Sequence, residues 1–396
     1  MTLTINTMTD TLKDHPAFDG HETVIMAEDT DIGFKAFIAV HNTSRGQALG
    51  GCRYWSRYRN DDEAITDVLR LSRGMTYKNA VADLPLGGGK SVIIGTPGTR
   101  HPTAEMMQAI AKAVNAIYGQ YVTAEDVGMS VDHMLIARGV TRHVAGLPIE
   151  VAGGHAMPDG LNPADYPHAD PSPYTAYGTF QSIRAAVKHK MGRDDLTGLT
   201  VSVKGYGNVA RTLCKYLAEA GAVVTVSEID DGRIAQAKED GFAVLDKGVD
   251  IMAHKADIYA PCALGGDITP DSIDLLVSAG VKIVAGCANN QLAVIDRDSK
   301  LLTGKGILYA PDYVANAGGV IAVGMQHVWS DVPNAATFPT HDKTMMRVGN
   351  IYKTLLEIFA RAETEGKTTA QVADEIARER FSVGKSGKVD MVAVAA

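Results

Sequence analysis

Two lysines twelve positions apart, Lys78 and Lys90, are the residues of this sequence best suited to chemistry. Both lie among glycines and apolar residues, where an unpaired ammonium is costly to bury. One ammonium can hold an anion as a point charge, and a second beside it would repel the first and lose its proton more easily. Asp126 follows an apolar, strand-like segment and could add a carboxylate. Together with a dinucleotide-binding signature downstream at 205–210, the lysines suggest hydride transfer to or from a small carboxylated substrate.

The surrounding pattern predicts the elements that position these groups. Apolar residues recur at helical spacing from 60 to 77, so Lys78 either faces inward on a helix or reaches solvent past its apolar stem. A short buried strand is predicted at 92–94, with Lys90 at the end of a glycine loop before it. A further strand at 121–123 leads to the carboxylate, and strand ends are where ligand-binding groups gather in α/β sheets.

A glycine-rich turn marks a second candidate site, after a β-branched segment at 200–204. Its residues are Gly205, Tyr206, Gly207, Asn208, Val209 and Ala210. Such glycines let the backbone approach a pyrophosphate at a helix N-terminus. Glu228, 21 positions after Gly207, ends the next predicted strand and favours NAD, because its carboxylate can bind ribose hydroxyls and would repel a 2′-phosphate. Arg233 could instead meet that phosphate, and the plainer alternative is a simple turn with a solvated glutamate.

The second half of the chain alternates strand and helix patterns. Strands are predicted at 200–204, 223–227, 257–260, 282–285 and 307–309. This alternation is typical of a parallel, doubly wound sheet. One amphipathic helix is predicted through Met345 and Phe359 and a second from 369 to 380. With 396 residues, two domains are expected, so the fold class is α/β.

Composition excludes several classes of protein. A net charge of −8 argues against nucleic acid, and no apolar stretch approaches the ~20 residues that span a bilayer. Cysteines at 52, 214, 262 and 287 form neither a disulfide framework nor a zinc motif, and no signal peptide is expected, so the cytoplasm fits best. The segment 88–91 ends like an NTPase phosphate loop, but position 84 is leucine and a strand follows instead of a helix.

Several motifs between about 45 and 320 occur together and in order. They are Leu49–Arg53, Gly74–Ala80, Leu86–Gly95, Thr123–Met129, Asp170–Pro173, Thr175–Gly178, Ala260–Gly265, Asn289–Leu292 and Tyr309–Gly319. On these motifs the chain resembles the glutamate, leucine, phenylalanine and valine dehydrogenases, most of all the leucine/phenylalanine branch. The segment 147–170 is longer than this branch leads us to expect, and no role is assigned to His155, Met157 or His168.

The resemblance implies two domains, with chemistry in the cleft that they form. An N-terminal α/β domain at 1–150, completed by C-terminal helices in 330–396, would bind substrate and form the oligomer. A Rossmann-type NAD-binding domain would occupy 151–329. A homo-oligomer is expected, with small molecules as the other partners and neither nucleic acid nor membrane.

The resemblance also implies roles for individual residues. Lys78 would bind the substrate carboxylate, Lys90 would polarise the carbonyl oxygen and handle water, and Asp126 would exchange protons with the substrate nitrogen. Other substrate contacts would come from Leu49, Gly50, Gly51, Ala124, Asn290, Val320 and Val323. Cofactor contacts would come from Gly205, Gly207, Asn208, Val209, Glu228, Cys262, Ala263 and Asn290. No metal is expected.

The activity implied is reversible, NAD-dependent oxidative deamination of an apolar L-amino acid to the 2-oxo acid and ammonium. Apolar pocket positions favour a leucine- or valine-type substrate, since a glutamate-type enzyme needs a polar or basic partner there. Two alternatives stay open: a phenylalanine- or tryptophan-preferring enzyme of the same family, and a non-catalytic NAD-binding protein.

Overall fold

The computed structural model describes residues 3–148, 151, 162–167, 170–331 and 338–383. The chain divides into two compact units. Unit 1 comprises 1–169, 323–341 and 377–396, and unit 2 comprises 170–322 and 342–376. These bounds differ from the expected domains because 342–376 belongs to unit 2. The expected domain roles therefore stay a prediction, and His155, Met157 and His168 lie outside the described residues.

Unit 1 contains a mixed six-stranded sheet in the order β1-β2-β3-β5-β4-β6. Its strands are β1 Thr4–Thr7, β2 Thr23–Asp29, β3 Phe34–Asn42, β4 Ala48–Trp55, β5 Gly87–Ile94 and β6 Tyr121–Glu125. Strands β1, β2, β3 and β5 pair antiparallel in that order, whereas β4 pairs parallel with both β5 and β6. Of the residues that the sequence marks for chemistry, Lys90 lies on β5 and Asp126 directly follows β6.

Both faces of this sheet are covered by helices: α1 Asp61–Val81, α2 Ala104–Ala116 and α3 Val131–Arg138. Alternating side chains of β3 separate two cores, because successive residues of a strand point to opposite faces. Phe37 packs with Leu69 of α1, and Ile38 belongs to the cluster that contains Ile110 of α2. The Asn60 side chain accepts a hydrogen bond from Glu63 N and so caps α1.

Unit 2 contains a parallel sheet in the order β12-β11-β10-β7-β8-β9, the order of a dinucleotide-binding fold. Its strands are β7 Thr200–Lys204, β8 Val223–Ser227, β9 Ala243–Val244, β10 Ile258–Pro261, β11 Ile283–Val284 and β12 Leu308–Tyr309. The helices of its first part are α4 Ser172–Met191, α5 Asn208–Glu219, α6 Asp231–Glu239, α7 Pro270–Ser278, α8 Ile295–Gly304 and α9 Asp312–Ala315. Four more follow: α10 Gly318–Asp331, α11 His341–Gly349, α12 Ile351–Glu365 and α13 Thr369–Val383.

The expected α/β fold with a Rossmann-type sheet is confirmed, but two local expectations are wrong. Lys90 lies inside β5 and not in a glycine loop, because β5 already begins at Gly87. The helix expected through Met345 and Phe359 is two helices, since α11 ends at Gly349 and α12 begins at Ile351.

Two buried histidines lie beneath α1, the helix that carries Lys78. The ring centroids of His21 and His41 are 4.9 Å apart. His21 Nε2 lies 3.0 Å from the Leu69 carbonyl oxygen, and His41 Nδ1 lies 2.8 Å from Thr76 Oγ1. Burial, followed by the charge of His21, lowers the pKa of His41 to about 4, and burial also lowers the pKa of His21.

We expect this pair to make the protein sensitive to acid. Each ring is neutral in the folded state but takes a proton on unfolding below its ordinary pKa of about 6.5. The unfolded state therefore binds more protons between pH 6.5 and 4. The free energy of unfolding should fall as the pH decreases through this range, by at most about 1.4 kcal/mol per pH unit for each histidine.

Urea unfolding at several pH values tests this expectation. His41→Gln should weaken the pH dependence of the free energy of unfolding. His254→Gln, which changes a histidine outside the His21–His41 pair, should leave the wild-type slope. An unchanged slope in His41→Gln would show that other groups take up the protons.

Candidate functional site

The parallel strands of unit 1 bring three candidate residues to one place. The register sets Cys52 of β4 opposite both Ser91 of β5 and Glu125 of β6. Gly51, Lys90 and Asp126 are each the chain neighbour of one of these aligned residues. Side chains from three strands therefore meet at one level of the sheet.

Lys90 and Asp126 form a direct ion pair. The Lys90 Nζ atom lies 2.8 Å from Asp126 Oδ2, and the lysine is 5 % exposed. A lysine this deeply buried needs a counter-charge, which the carboxylate supplies. An ammonium and a carboxylate in contact can hand a proton to a third group placed beside them.

A second cation contacts the same carboxylate. Arg53 Nε lies 3.2 Å from Asp126 Oδ2, and Arg53 Nη1 lies 3.0 Å from Asp67 Oδ2 on α1. Burial raises the pKa of Asp126, but the charges of Lys90 and Arg53 outweigh it and hold that pKa below its usual range. Asp126 is therefore an anion at neutral pH.

Two glycines of β4 leave the room that this pair occupies. A Cβ atom on Gly51 would lie 2.6 Å from Asp126 Cβ and 3.2 Å from Lys90 Nζ. A Cβ atom on Gly50 would lie 1.9 Å from the Gly89 carbonyl oxygen. No larger residue fits at either position without displacing the backbone or the ion pair.

A buried hydroxyl supports the backbone of these glycines. Tyr121 Oη lies 2.8 Å from the Gly50 carbonyl oxygen, 3.1 Å from that of Gly51 and 3.1 Å from Ser91 Oγ. The neighbouring Cys52 is fully buried, and burial raises the pKa of its thiol to about 12. The Tyr121 hydroxyl and the Cys52 thiol are therefore both neutral groups close to the charged pair.

Lys78 lies on α1, whose C-terminal end packs against β4 and β5. It is half-buried in the last turn of the helix, and the adjacent Asn79 donates hydrogen bonds to the carbonyl oxygens of Leu49 and Gly87 at 3.3 and 2.6 Å. One turn earlier, Met75 Cγ would lie 3.1 Å from a Cβ on Gly50. The helix end that carries Lys78 is thus fixed against β4 and β5.

The candidate pocket residues of unit 1 are apolar. Leu49 is buried in β4, and Ala124, 8 % exposed, pairs with Gly51 across the sheet. Val323 is half-buried on α10, with its methyl carbons about 3.8 Å from the Cβ position of Gly146. Val320 is half-buried on the same helix but falls within unit 2.

The turn between β7 and α5 has the geometry of a phosphate-binding loop. Gly205 has a φ of +99°, which favours glycine, and Gly207 is the N-cap of α5. Because glycine supplies no side-chain cap, the first N–H groups of α5 keep their capacity to bind an anion. A Cβ on Gly207 would meet nothing closer than Arg233 Nη1 at 3.9 Å. The residues present therefore fit a dinucleotide.

The Glu228 carboxylate accepts hydrogen bonds from backbone N–H groups of two turns, the one after β7 and the one after β8. Its Oε1 accepts hydrogen bonds from Ile229 N and Asp230 N at 2.7 and 3.1 Å, and its Oε2 accepts one from Tyr206 N at 2.8 Å. Burial raises the pKa of Glu228, but these three donors together with Arg233 hold it below its usual range. The carboxylate is charged and fixed at the end of β8.

The other cofactor candidates also lie in unit 2. Ala263 is exposed, with its Cβ 3.0 Å from the Cβ position of Gly205, and Cys262 N donates to the Lys204 carbonyl oxygen. Asn208 is exposed at the start of α5, and Val209 beside it is half-buried. Asn290 is exposed and has a φ of +52°, an uncommon conformation that is often found at functional positions.

Comparison with known proteins identifies the family. The model for the Glu/Leu/Phe/Val dehydrogenase dimerisation domain matches residues 21–143, and the model for the glutamate/leucine/phenylalanine/valine dehydrogenases matches 170–246 and 230–381. The chain belongs to this family of dehydrogenases.

Individual relatives agree with the assignment. A leucine dehydrogenase from Thermoactinomyces intermedius is 40 % identical over 92 % of this chain and 91 % of its own. A valine dehydrogenase from Streptomyces virginiae is 40 % identical over 93 % and 96 %. The crystal structure of L-tryptophan dehydrogenase from Nostoc punctiforme matches with a TM-score of 0.76 and 34 % identity, covering 96 % of this chain and 99 % of that one.

The protein is therefore an amino acid dehydrogenase, an oxidoreductase that acts on CH–NH₂ donors with a nicotinamide dinucleotide. Within the described ranges, no helix is both long and apolar enough to cross a membrane. The same residues contain no group of three or more His, Cys, Asp or Glu side chains arranged to hold a metal ion.

Sequence reasoning missed the residues that surround the ion pair. Arg53, Asp67 and Tyr121 received no role from it, although all three contact the site. One signal was available: Gly51 and Arg53 are two positions apart on a strand, so they share the face that Asp126 must approach. Asp67 lies on α1, and its contact with Arg53 requires knowledge of how the helix packs.

Gly51→Ala should abolish turnover, because the added methyl group would overlap Asp126 and crowd Lys90 Nζ. The matched control is Gly74→Ala on α1, where an added Cβ has no atom within 4 Å. That exchange should keep activity and stabilise the helix by roughly 0.5–1 kcal/mol. Steady-state kinetics and urea unfolding of both variants test the expectation, which normal turnover by Gly51→Ala would contradict.

Proposed function

We propose that this enzyme catalyses the reversible, NAD-dependent oxidative deamination of an apolar L-amino acid of the leucine or valine type. The observation that carries the proposal is the Lys90–Asp126 pair, with Nζ and Oδ2 2.8 Å apart, packed against two buried glycines of β4. A buried acid–base pair of this kind suits proton transfer at the substrate nitrogen and oxygen.

Substrate binding is assigned to Lys78 and to the β4 backbone. The Lys78 ammonium binds the substrate carboxylate, while Gly50 and Gly51 let the substrate lie against main-chain atoms. Asn290 is proposed to contact the substrate and the nicotinamide. These contacts orient the Cα–H bond for reaction.

Proton transfer is assigned to Lys90 and Asp126. A nicotinamide bound by unit 2 residues would supply the acceptor for the hydride of the substrate Cα, and the oxidised substrate would be an iminium ion. Lys90 positions the water that attacks this carbon and stabilises the oxygen that develops there. Asp126 moves protons to and from the nitrogen, so that ammonia can leave and the 2-oxo acid forms.

The cofactor proposed is NAD. The Gly205–Gly207 turn and the start of α5, with Asn208 and Val209, would hold the pyrophosphate. Glu228 places a fixed negative charge at the end of β8, where a 2′-phosphate would be repelled. Arg233 Nη1 lies 3.9 Å from the Glu228 carboxylate, so its charge is directed toward Glu228. Cys262 and Ala263 are proposed to complete the cofactor contacts.

Substrate preference is assigned from the apolar positions Leu49, Ala124, Val320 and Val323. They offer no partner for a side-chain carboxylate, which disfavours glutamate. The similarity to leucine and valine dehydrogenases supports a branched aliphatic substrate. The similarity to L-tryptophan dehydrogenase favours an aromatic substrate as the second candidate.

Self-association and location complete the proposal. The matched dimerisation-domain model supports a homo-oligomer. The four cysteines are free thiols, as in proteins of the reducing cytoplasm. We therefore infer a cytoplasmic homo-oligomer.

Mixing the enzyme with NAD and a panel of L-amino acids should produce NADH absorbance, with the highest kcat/KM for leucine or valine. A hydrophobic pocket discriminates by only about 1–3 kcal/mol per methylene, so several apolar amino acids should react. A clear preference for phenylalanine or tryptophan would select the second candidate, and no turnover with any amino acid would contradict the activity itself.

Three variants separate the proposed roles in the same assay. Lys90→Ala should abolish turnover but still bind NADH, and Asp126→Asn should lower kcat by roughly 10²–10⁴-fold. Lys78→Ala should mainly raise KM, since it removes a contact made by ground state and transition state alike. Near-normal kinetics of any variant would remove that residue from its role.

The wild-type enzyme should strongly prefer NAD to NADP, and Glu228→Ser should shift the ratio toward NADP, because the exchange removes the repelling charge. The measurement is kcat/KM for both cofactors, with Asp231→Ser at the start of α6 as the control. Equal use of both cofactors by the wild type would contradict the assignment of Glu228.

A further inference from the structure

A chain of alternating charges runs through the proposed acid–base pair and away from it. The Lys90 ammonium contacts Asp126, Asp126 contacts Arg53, and Arg53 contacts Asp67, with distances of 2.8, 3.2 and 3.0 Å. The Tyr58 hydroxyl then donates to Asp67 Oδ2 at 2.5 Å. This row of ion pairs thus links two strands, β4 and β5, to helix α1.

Arg53 occupies the middle of this chain and is anchored independently of Asp126. Its Nε atom contacts Asp126, while Nη1 contacts Asp67, so the two carboxylates hold opposite sides of one planar guanidinium. Its side chain is 23 % exposed, so water screens the Arg53–Asp126 pair only partly. Tyr58 in turn fixes Asp67, and burial together with the Asp67 charge raises the pKa of Tyr58, which therefore stays a neutral donor.

Both cations contact the same oxygen of Asp126. Lys90 Nζ and Arg53 Nε each approach Oδ2, at 2.8 and 3.2 Å. The other oxygen, Oδ1, can therefore take a proton while both contacts to Oδ2 persist as hydrogen bonds to a neutral carboxyl group. A carboxylate held at one oxygen presents the other in a constant orientation.

We propose that Arg53 is the positioning residue of this reaction: held by Asp67, its guanidinium fixes the Asp126 carboxylate as an anion beside Lys90 and leaves Oδ1 to exchange the proton. The proposal rests on the proposed function of Asp126 as the group that moves protons at the substrate nitrogen. Arg53 itself acts through Asp126 and touches no reacting atom.

The other titratable groups that face Asp126 do not carry charge at neutral pH. Cys52 on β4 and Tyr121 on β6 interact with it electrostatically, and burial raises the pKa of both. Lys90 and Arg53 are therefore the positive groups that oppose the burial of the Asp126 carboxylate. Removing Arg53 leaves one cation and the hydrogen bond from the Val127 backbone against the same burial, so the pKa of Asp126 should rise.

The test compares Arg53→Gln, Arg53→Lys and the wild type by the pH dependence of kcat/KM. Losing an opposite charge in contact shifts a pKa by about 1–3 units. Arg53→Gln should therefore move the acidic limb of the kcat/KM profile upward by at least about one pH unit. Arg53→Lys keeps the charge and should largely restore the limb. Arg57→Gln, an exposed arginine four positions along, is the matched control and should follow the wild type.

A second measurement reads the protonation of Asp126 without turnover. Infrared difference spectra during a pH titration show the C=O stretch of protonated carboxyl groups, and subtraction of the Asp126→Asn spectrum isolates this residue. The band should appear at higher pH in Arg53→Gln than in the wild type. Asp67→Asn should lower kcat at unchanged NADH affinity, because it frees one side of the guanidinium.

The outcomes separate this inference from the proposed function. If Arg53→Gln keeps both the wild-type limb and the wild-type infrared titration, the positioning role is overturned, whatever the loss of kcat. If the infrared titration shifts but the wild type deaminates no amino acid, the positioning of Asp126 stands and the proposed function fails. Circular dichroism confirms that each variant is folded.

Discussion

The ion pair between Lys90 and Asp126 is the contact on which the site depends. A lysine buried to this extent would lose its charge or destabilise the fold if it stood alone, and an isolated carboxylate would be protonated by the same burial. The Lys90 charge, 2.8 Å away, helps to hold the pKa of Asp126 below its usual range. Removing one therefore changes the chemistry of the other as well as deleting a contact.

Close packing of the backbone makes this pair possible. The strands β4 and β5 contain Gly50, Gly51, Gly88 and Gly89, and every one of these positions would place a Cβ within 3 Å of another atom. The space that side chains would take is filled by backbone, by the Tyr121 ring and by the charged pair itself. The glycines thus let neighbouring strands and helix α1 approach one another closely at the level of the ion pair.

Sequence reasoning succeeded where local pattern decides the structure. The strands at 200–204 and 223–227 end where predicted, because β-branched residues stop at a glycine turn and a polar loop. It failed at 87–89, where glycines suggest a loop. There, Gly88 would place a Cβ 2.0 Å from Thr76 N and Gly89 would place one 2.6 Å from the Tyr121 ring, so a strand forms that only glycine permits. Long-range packing, which no short motif contains, decides this segment.

The same limit applies to the charged groups. The types and spacing of Lys90 and Asp126 indicated that they belong together, but the anchoring of Arg53 by Asp67 depends on the packing of α1 on the sheet. Likewise the position of Glu228 after a strand was predicted, but the three backbone donors that hold its carboxylate, at positions 206, 229 and 230, were not. Charges can be predicted from sequence more readily than their partners.

The buried Cys52 thiol has a consequence for chemical damage. It lies next to Gly51 in β4, yet burial holds its pKa near 12, so the nucleophilic thiolate is essentially absent at neutral pH. Peroxides and alkylating reagents attack thiolates, and this region offers them none. A centre that works by amine and carboxylate chemistry therefore tolerates the Cys52 sulfur atom close by.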